Sequence, residues 1–287
     1  MSAKSNSANV PRRDFLKTAG AAMLASAIPW NRANAQNFAG QTLQVWSCGG
    51  LAEAFMQANQ IYEEKTGITI SYTGAFAAAL GKSLLANGQT EVFAGRVLKL
   101  AQKLRSADKM VFFKPLCFTQ YVMITPKGNP AGITTIKDLA RPGVKVVLAP
   151  DASPPGGAAV LKMLEKTGVK EAALANAVVK GSCVQQIMTS IIDGTGDVAV
   201  VEKRLTRIPN FKGQTEIIPL PDSQQPPPPL PFTIGVMKDA QDPELARDYV
   251  TFILSDQGQA CFERQGFIPA LSAKGQELVE KLGVKDV

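Results

Sequence analysis

The residues of this chain that could do chemistry sit in four short turns. Each lies between an expected strand and an expected helix: Cys48 to Leu51, Gly74 to Ala77, Pro155 to Gly157 and Gly181 to Cys183. A helix N-terminus presents unpaired backbone N–H groups and about half a positive charge, so such turns bind anions without a cationic side chain. Open α/β sheets gather ligands at these strand ends, although plain connecting turns have the same composition. In and beside the turns the candidate binding residues are Ser47, Cys48, Gly49, Gly50, Gly74, Ala75, Pro155, Gly156, Ser182 and Cys183. Arg96 and Glu202 join them from the ends of two further strands. Arg96 is either a cation for an oxyanion or a solvated arginine at a helix start. Glu202 would repel an anion. With thiolates of Cys48 and Cys183 it would form a soft set suited to a metal cation, and a helix N-terminus favours thiolate. Arg204 and Arg207 offer Glu202 a simpler role in a surface ion pair.

Composition narrows the chemistry. The chain has no histidine, which removes the commonest general base and transition-metal ligand. Ser-His-Asp and Cys-His mechanisms are excluded. Cys48, Cys117, Cys183 and Cys261 are too far apart for a CxxC redox or zinc motif. In an exported chain an even count first suggests two disulfides, with three formal pairings. Inert burial is the other state open to all four, and the one expected of Cys117 and Cys261. A thiol redox enzyme using Cys48 and Cys183 is the enzymatic alternative, and the missing CxxC counts against it. No catalytic residue and no cofactor are expected.

The N-terminus has its own signature. Pro11-Arg12-Arg13-Asp14-Phe15-Leu16-Lys17 precedes an Ala-rich apolar run from Thr18 to Ile28, and small residues lead to Ala33-Asn34-Ala35. A charged start, a short apolar centre and an A-x-A site make a bacterial export signal, and the paired arginines place it with the twin-arginine type. Residues 1–35 are expected to be cleaved near Ala35, leaving about 252 residues from Gln36 in the periplasm. The signal carries +4 of the formal charge of +7, so the mature part keeps +3. That balance, with no basic stripe interleaved with aromatics, excludes a nucleic-acid partner. No later apolar run approaches the ~20 residues of a membrane span, so a soluble monomer is expected.

Strand and helix alternate along the mature chain. Strands are expected at Thr42 to Trp46, Ile68 to Tyr72, Glu91 to Ala94, Tyr121 to Thr125, Val144 to Leu148, Val178 to Val179, Asp197 to Val201, Glu216 to Pro219 and Phe232 to Met237. Helices are expected from Leu51 to Lys65, ended by Gly67, and within residues 74–87. Others follow at Val97 to Lys103, Ala158 to Lys166, Cys183 to Ile192, Pro243 to Leu254 and Gln257 to Gln265, and a small one, opened by a capping threonine, runs from Thr135 to Leu139. The pattern restarts after Tyr121, which argues for two α/β lobes. Ser223 to Pro231 (SQQPPPPLP) reads as a polyproline surface linker.

In this order the segments resemble a known family. LQVWSCGGLAEAF, IYEEKTGITISYTGA, TEVFAGRVLKLAQKL, CFTQYVMITPKGNP, TTIKDLARPGVKVVLAP, ASPPGGAAVLKMLEKTG and ARDYVTFILSDQGQACFERQGFIP are together similar to the periplasmic solute-binding proteins of ABC importers, and within them to the molybdate-binding branch. The resemblance implies an α/β, two-lobed periplasmic binding protein fold of type II, each lobe a mostly parallel sheet flanked by helices, with two crossing strands between them. Residues 1–35 would be the signal, 36–118 plus 232–287 lobe I, and 119–231 lobe II. It further implies a clamped metal oxyanion such as molybdate or tungstate, and an importer's membrane subunits as partners beside the twin-arginine export machinery. The chain departs from the branch where the ligand would be touched. Gly50 stands in place of a hydroxyl, Gly74-Ala75-Phe76-Ala77 in place of a serine-rich turn, and Glu202 in place of a tyrosine. A soft-metal or thiophilic ligand held by Cys48, Cys183 and Glu202 therefore stays open.

Overall fold

Along β1 (Thr42–Cys48) Leu43 and Val45 point into the core while Thr42 and Gln44 face solvent, and the last residues are buried on both faces. That strand therefore starts at a surface and ends inside the molecule. It belongs to a six-stranded sheet with β2 (Thr69–Ala75), β3 (Val92–Arg96), β4 (Met110–Phe118), β10 (Pro231–Met237) and β11 (Ile268–Pro269), in the order β11-β4-β10-β3-β1-β2. A second sheet, in the order β7-β6-β8-β5-β9, holds β5 (Tyr121–Pro126), β6 (Val146–Leu148), β7 (Ala177–Lys180), β8 (Val198–Glu202) and β9 (Thr215–Pro219). These assignments come from a computed structural model that describes residues 38–152, 154–225 and 229–286. The expected export signal lies outside the described residues.

Each sheet is mixed. Parallel pairing is confined to β2-β1-β3 and β7-β6-β8. The strands next to the crossings, β4, β5 and β10, pair antiparallel, because the chain passes straight from one sheet to the other and back without a helical crossover. The outward crossing is Thr119-Gln120 and the return ends at Leu230. Thr119 N–H donates to the Leu230 carbonyl at 3.0 Å, so the two crossings run side by side.

Helices α1 (Ala52–Thr66), α2 (Ala77–Leu85), α3 (Leu98–Ser106), α7 (Pro243–Ile253), α8 (Asp256–Arg264) and α9 (Ala273–Leu282) accompany the first sheet. Helices α4 (Gly156–Lys166), α5 (Lys170–Ala175) and α6 (Val184–Ile192) accompany the second. The C-terminal helices return to lobe I through aromatic packing: Tyr62 of α1 meets Tyr249 of α7 edge-on at 5.1 Å, and Phe55 meets Phe262 of α8 at 5.3 Å. Such contacts stabilise by ~0.5–1.5 kcal/mol beyond the area they bury.

Four elements go beyond the sequence expectation: β4, β11, α5 and α9. β4 has no clean alternation and carries Pro115, two features that speak against a central strand. The register shifts along its pairing with β10 accommodate them. The Pro-rich stretch is more than a surface linker. Gln225 accepts from Tyr121 N–H at 3.0 Å and donates to the Tyr121 carbonyl at 3.1 Å, standing in for a strand neighbour of β5 at the return crossing.

Candidate ligand-binding cleft

A cleft of about 410 Å³ opens between the lobes. From lobe I the β1–α1 turn brings Cys48, Gly49 and Gly50, the β2–α2 turn brings Ala75 and Phe76, and the end of β3 brings Arg96. From lobe II the start of α6 brings Ser182 and Cys183, and a short 3-10 turn after β8 brings Arg204. Seven of the sequence candidates thus share one space: Cys48, Gly49, Gly50, Ala75, Arg96, Ser182 and Cys183.

The other five lie elsewhere. Ser47 is fully buried and its hydroxyl bonds the Tyr72 hydroxyl behind the β1–α1 turn. Gly74 pairs with Ser47 in the β1–β2 ladder. Pro155 caps α4, and it is the preceding Pro154 that reaches the cleft. Gly156 and Glu202 border a small, mainly apolar cavity inside lobe II, with Tyr121 and Gly157, whose ~30 Å³ holds about one water. Gly157 has no room for a side chain: a Cβ there would stand 2.2 Å from the Ala149 carbonyl oxygen, so α4 starts directly against the end of the β6 segment.

Glu202 lies behind the cleft and joins its two arginines. Its Oε1 accepts from Arg96 Nη2 across the lobe boundary, and its Oε2 accepts from Arg204 Nε at 2.6 Å. All three groups are under a tenth exposed. Burial alone would raise the Glu202 pKa, but the guanidiniums of Arg96 and Arg204 outweigh it and hold the carboxyl below its ordinary value. Burial disfavours the charge on Arg96, and Glu202 more than restores it, so its pKa is raised. The triad is therefore fully ionised with a net charge of +1. The half-buried Glu53, on the first turn of α1, adds a carboxylate to the lobe I wall.

Neighbours fix this geometry. Arg96 lies over the Phe232 ring, 5.3 Å from its centroid, and Arg96 Nη2 stands 3.4 Å from Thr119 Oγ1. A Cβ at Gly156 would come within 2.5 Å of Glu202 Oε1, and one at Gly50 within 3.3 Å of Arg204 Nε. The departures at Gly50 and Glu202 thus belong together: the missing side chain at 50 leaves space that the Arg204 guanidinium fills, and Glu202 aims that guanidinium. The surface ion pair suggested for Arg204 and Glu202 is instead buried. Arg96 is no solvated arginine.

The disulfide expectation is corrected, whereas Cys117 and Cys261 are buried as expected. All four are free thiols. Cys48 is buried in one wall of the cleft and Cys183 is exposed on the other. Cys117 is enclosed in lobe I, where burial pushes its thiol pKa well up, and Cys261 accepts from Arg264 Nη2 at 3.1 Å. The soft-metal set of Cys48, Cys183 and Glu202 is not assembled, because Glu202 is committed to the arginines outside the cleft. Among the described residues no three Cys, Asp or Glu side chains form a metal-binding group. Sequence reasoning missed Phe76 as a cleft residue, although it lies in one of the departing turns and is 70% exposed at the rim.

A two-lobed molecule with a charged floor between its lobes is built to hold a small solute, and known proteins agree. The chain is 22% identical to the molybdate-binding protein ModA of Mycobacterium tuberculosis over 239 residues, 79% of this chain and 84% of that one. Its fold matches the substrate-binding domain of a putative molybdenum ABC transporter from Clostridium difficile, with a TM-score of 0.71 at 18% identity over 80% of this chain and 99% of that one. It also matches the sulfate-binding protein SubI of M. tuberculosis, with a TM-score of 0.56 at 15% identity over 84% and 91% of the two chains. The sequence profile of one family covers residues 43–268. This chain belongs to that family, the bacterial extracellular solute-binding proteins, which bind and carry their solutes rather than transform them.

Proposed function

We propose that this chain is the exported solute-binding component of an ABC importer, and that its ligand is a small metal oxyanion of the molybdate or tungstate kind held between the lobes. The observation that carries the reading is the pair of guanidiniums, Arg96 and Arg204, that reach one cleft from opposite lobes. The starts of α1 and α6 border the same space and add N–H donors and positive dipole ends. The molybdate-binding relative supports this ligand, and the sulfate-binding structural neighbour supports a tetrahedral oxyanion more broadly. Among the described residues no helix is long and apolar enough to cross a membrane. The working form is a periplasmic monomer that hands its solute to the importer's membrane subunits after twin-arginine export and cleavage near Ala35. Lys in place of both Arg12 and Arg13 is expected to hold the precursor in the cytoplasm; normal export of that variant would refute the route.

A thermal-shift screen of tetrahedral oxyanions against divalent metal cations tests the ligand class. Binding to the folded state alone stabilises by ~2.7 kcal/mol at a hundredfold excess over Kd. Oxyanions are expected to raise the melting temperature, and replacing Arg204 by Gln to weaken that response. A response to metal cations alone would overturn the oxyanion reading.

A further inference from the structure

We propose that Phe76 seals the cleft over the bound anion, its ring becoming buried against Val184 and Ile208 of the opposite lobe as the lobes draw together. This role rests on the anion reading above and adds what drives closure. The cleft is layered. The guanidiniums of Arg96 and Arg204 stand at its floor, each paired with Glu202. Apolar side chains line it from both lobes: Ala75, Phe76 and Ala77 from lobe I, Val184 and Ile208 from lobe II. Phe76 is 70% exposed, more than any other large apolar side chain among the described residues. Its backbone is nevertheless anchored. Phe76 is the N-cap of α2, and its carbonyl accepts from Leu80 N–H at 3.0 Å. Val184, the first residue of α6, and Ile208, just after the turn that carries Arg204, are half-buried and packed on the lobe II core. Each therefore offers a fixed apolar surface across the cleft.

An oxyanion needs hydrogen-bond donors, and lobe I supplies few from side chains. Apart from Arg96, its cleft residues are Cys48, Gly49, Gly50, Glu53, Ala75, Phe76 and Ala77, none of which carries a hydroxyl. Burial of the Phe76 ring stabilises the closed, liganded state from a different source, in proportion to the apolar area removed from water. That area belongs to the protein alone, because a metal oxyanion has no apolar surface of its own. The ring also excludes water above the anion. A drier site lowers the effective dielectric constant and strengthens the attraction between the anion and the two guanidiniums. The apolar mouth and the charged floor thus reinforce each other.

Calorimetric titration of tungstate at several temperatures tests this, in the native protein, Phe76→Ala and Phe76→Leu. A negative heat-capacity change of binding marks burial of apolar surface, and with an inorganic anion that surface can only be the protein's. The native protein is expected to show this change. Phe76→Ala is expected to shrink it and to weaken tungstate binding about tenfold, and Phe76→Leu to keep most of both. The side chain is exposed, so both variants are expected to fold as the native protein does. A heat-capacity change in Phe76→Ala equal to the native one, whatever the affinity, overturns the role of Phe76 and leaves the anion reading standing. Failure of the native protein to bind tungstate overturns the anion reading, and the role of Phe76 with it.

Discussion

Arg96, Glu202 and Arg204 act as a set. Arg96 and Glu202 stand at strand ends, where sequence alone marks candidates. Their pairing was not legible, because they are 106 residues apart and on different lobes. Arg204 looked like a local surface partner of Glu202, since nothing in the sequence says that the turn between them is buried. The pairing has a consequence for stability. Glu202 in the folded protein lies below its ordinary value of 4.5, so its contribution is full above that value and is lost as pH falls through the depressed folded-state value. Removing the carboxylate leaves Arg96 buried without this counter-charge, a change that costs about 3–5 kcal/mol. Glu202→Gln is therefore expected to be less stable at neutral pH and to show a flatter loss of stability into acid. Urea titrations from pH 7 to pH 3 measure both. Parallel pH profiles for the two proteins would contradict the assignment.

The elements around these residues were legible where local chemistry is strong. Gly67 ends α1 in the left-handed conformation, at φ 73°. Asp242 caps α7 ahead of Pro243 at its first position. The sequence hid elements whose stability comes from tertiary pairing, such as β4 with its interior proline. It also hid the backbone at Val97, directly after Arg96, where a β-branched residue sits at φ 76° and its N–H donates to the Pro231 carbonyl at 3.0 Å. That conformation costs a residue with a branched Cβ roughly 1–3 kcal/mol. It turns the chain out of β3 immediately beyond the guanidinium it must present. Val97→Gly is expected to raise the free energy of unfolding by about 1 kcal/mol, read from the denaturant midpoint at constant slope. A lower midpoint would show that Val97 packing outweighs the backbone strain.

At the scale of the whole molecule, the two-lobed architecture was legible in the restart of the βα alternation after Tyr121 and in the closing helices that return to lobe I. The convergence of the turns was not. Sequence placed four helix starts at strand ends, but which of them share a space depends on how the crossings at Thr119 and Leu230 set one lobe against the other. The starts of α1 and α6 meet at the cleft, whereas Gly156 at the start of α4 faces the Glu202 carboxylate. The Glu202 carboxylate thus lies against the start of α4, and the ligand is left with the arginines and the starts of α1 and α6. The most direct test is anomalous diffraction at the tungsten edge from crystals grown with tungstate. The account predicts one strong peak between the lobes, within hydrogen-bonding reach of Arg96 and Arg204. A peak at the cysteines or outside the cleft, or none from protein that binds tungstate in solution, would contradict it.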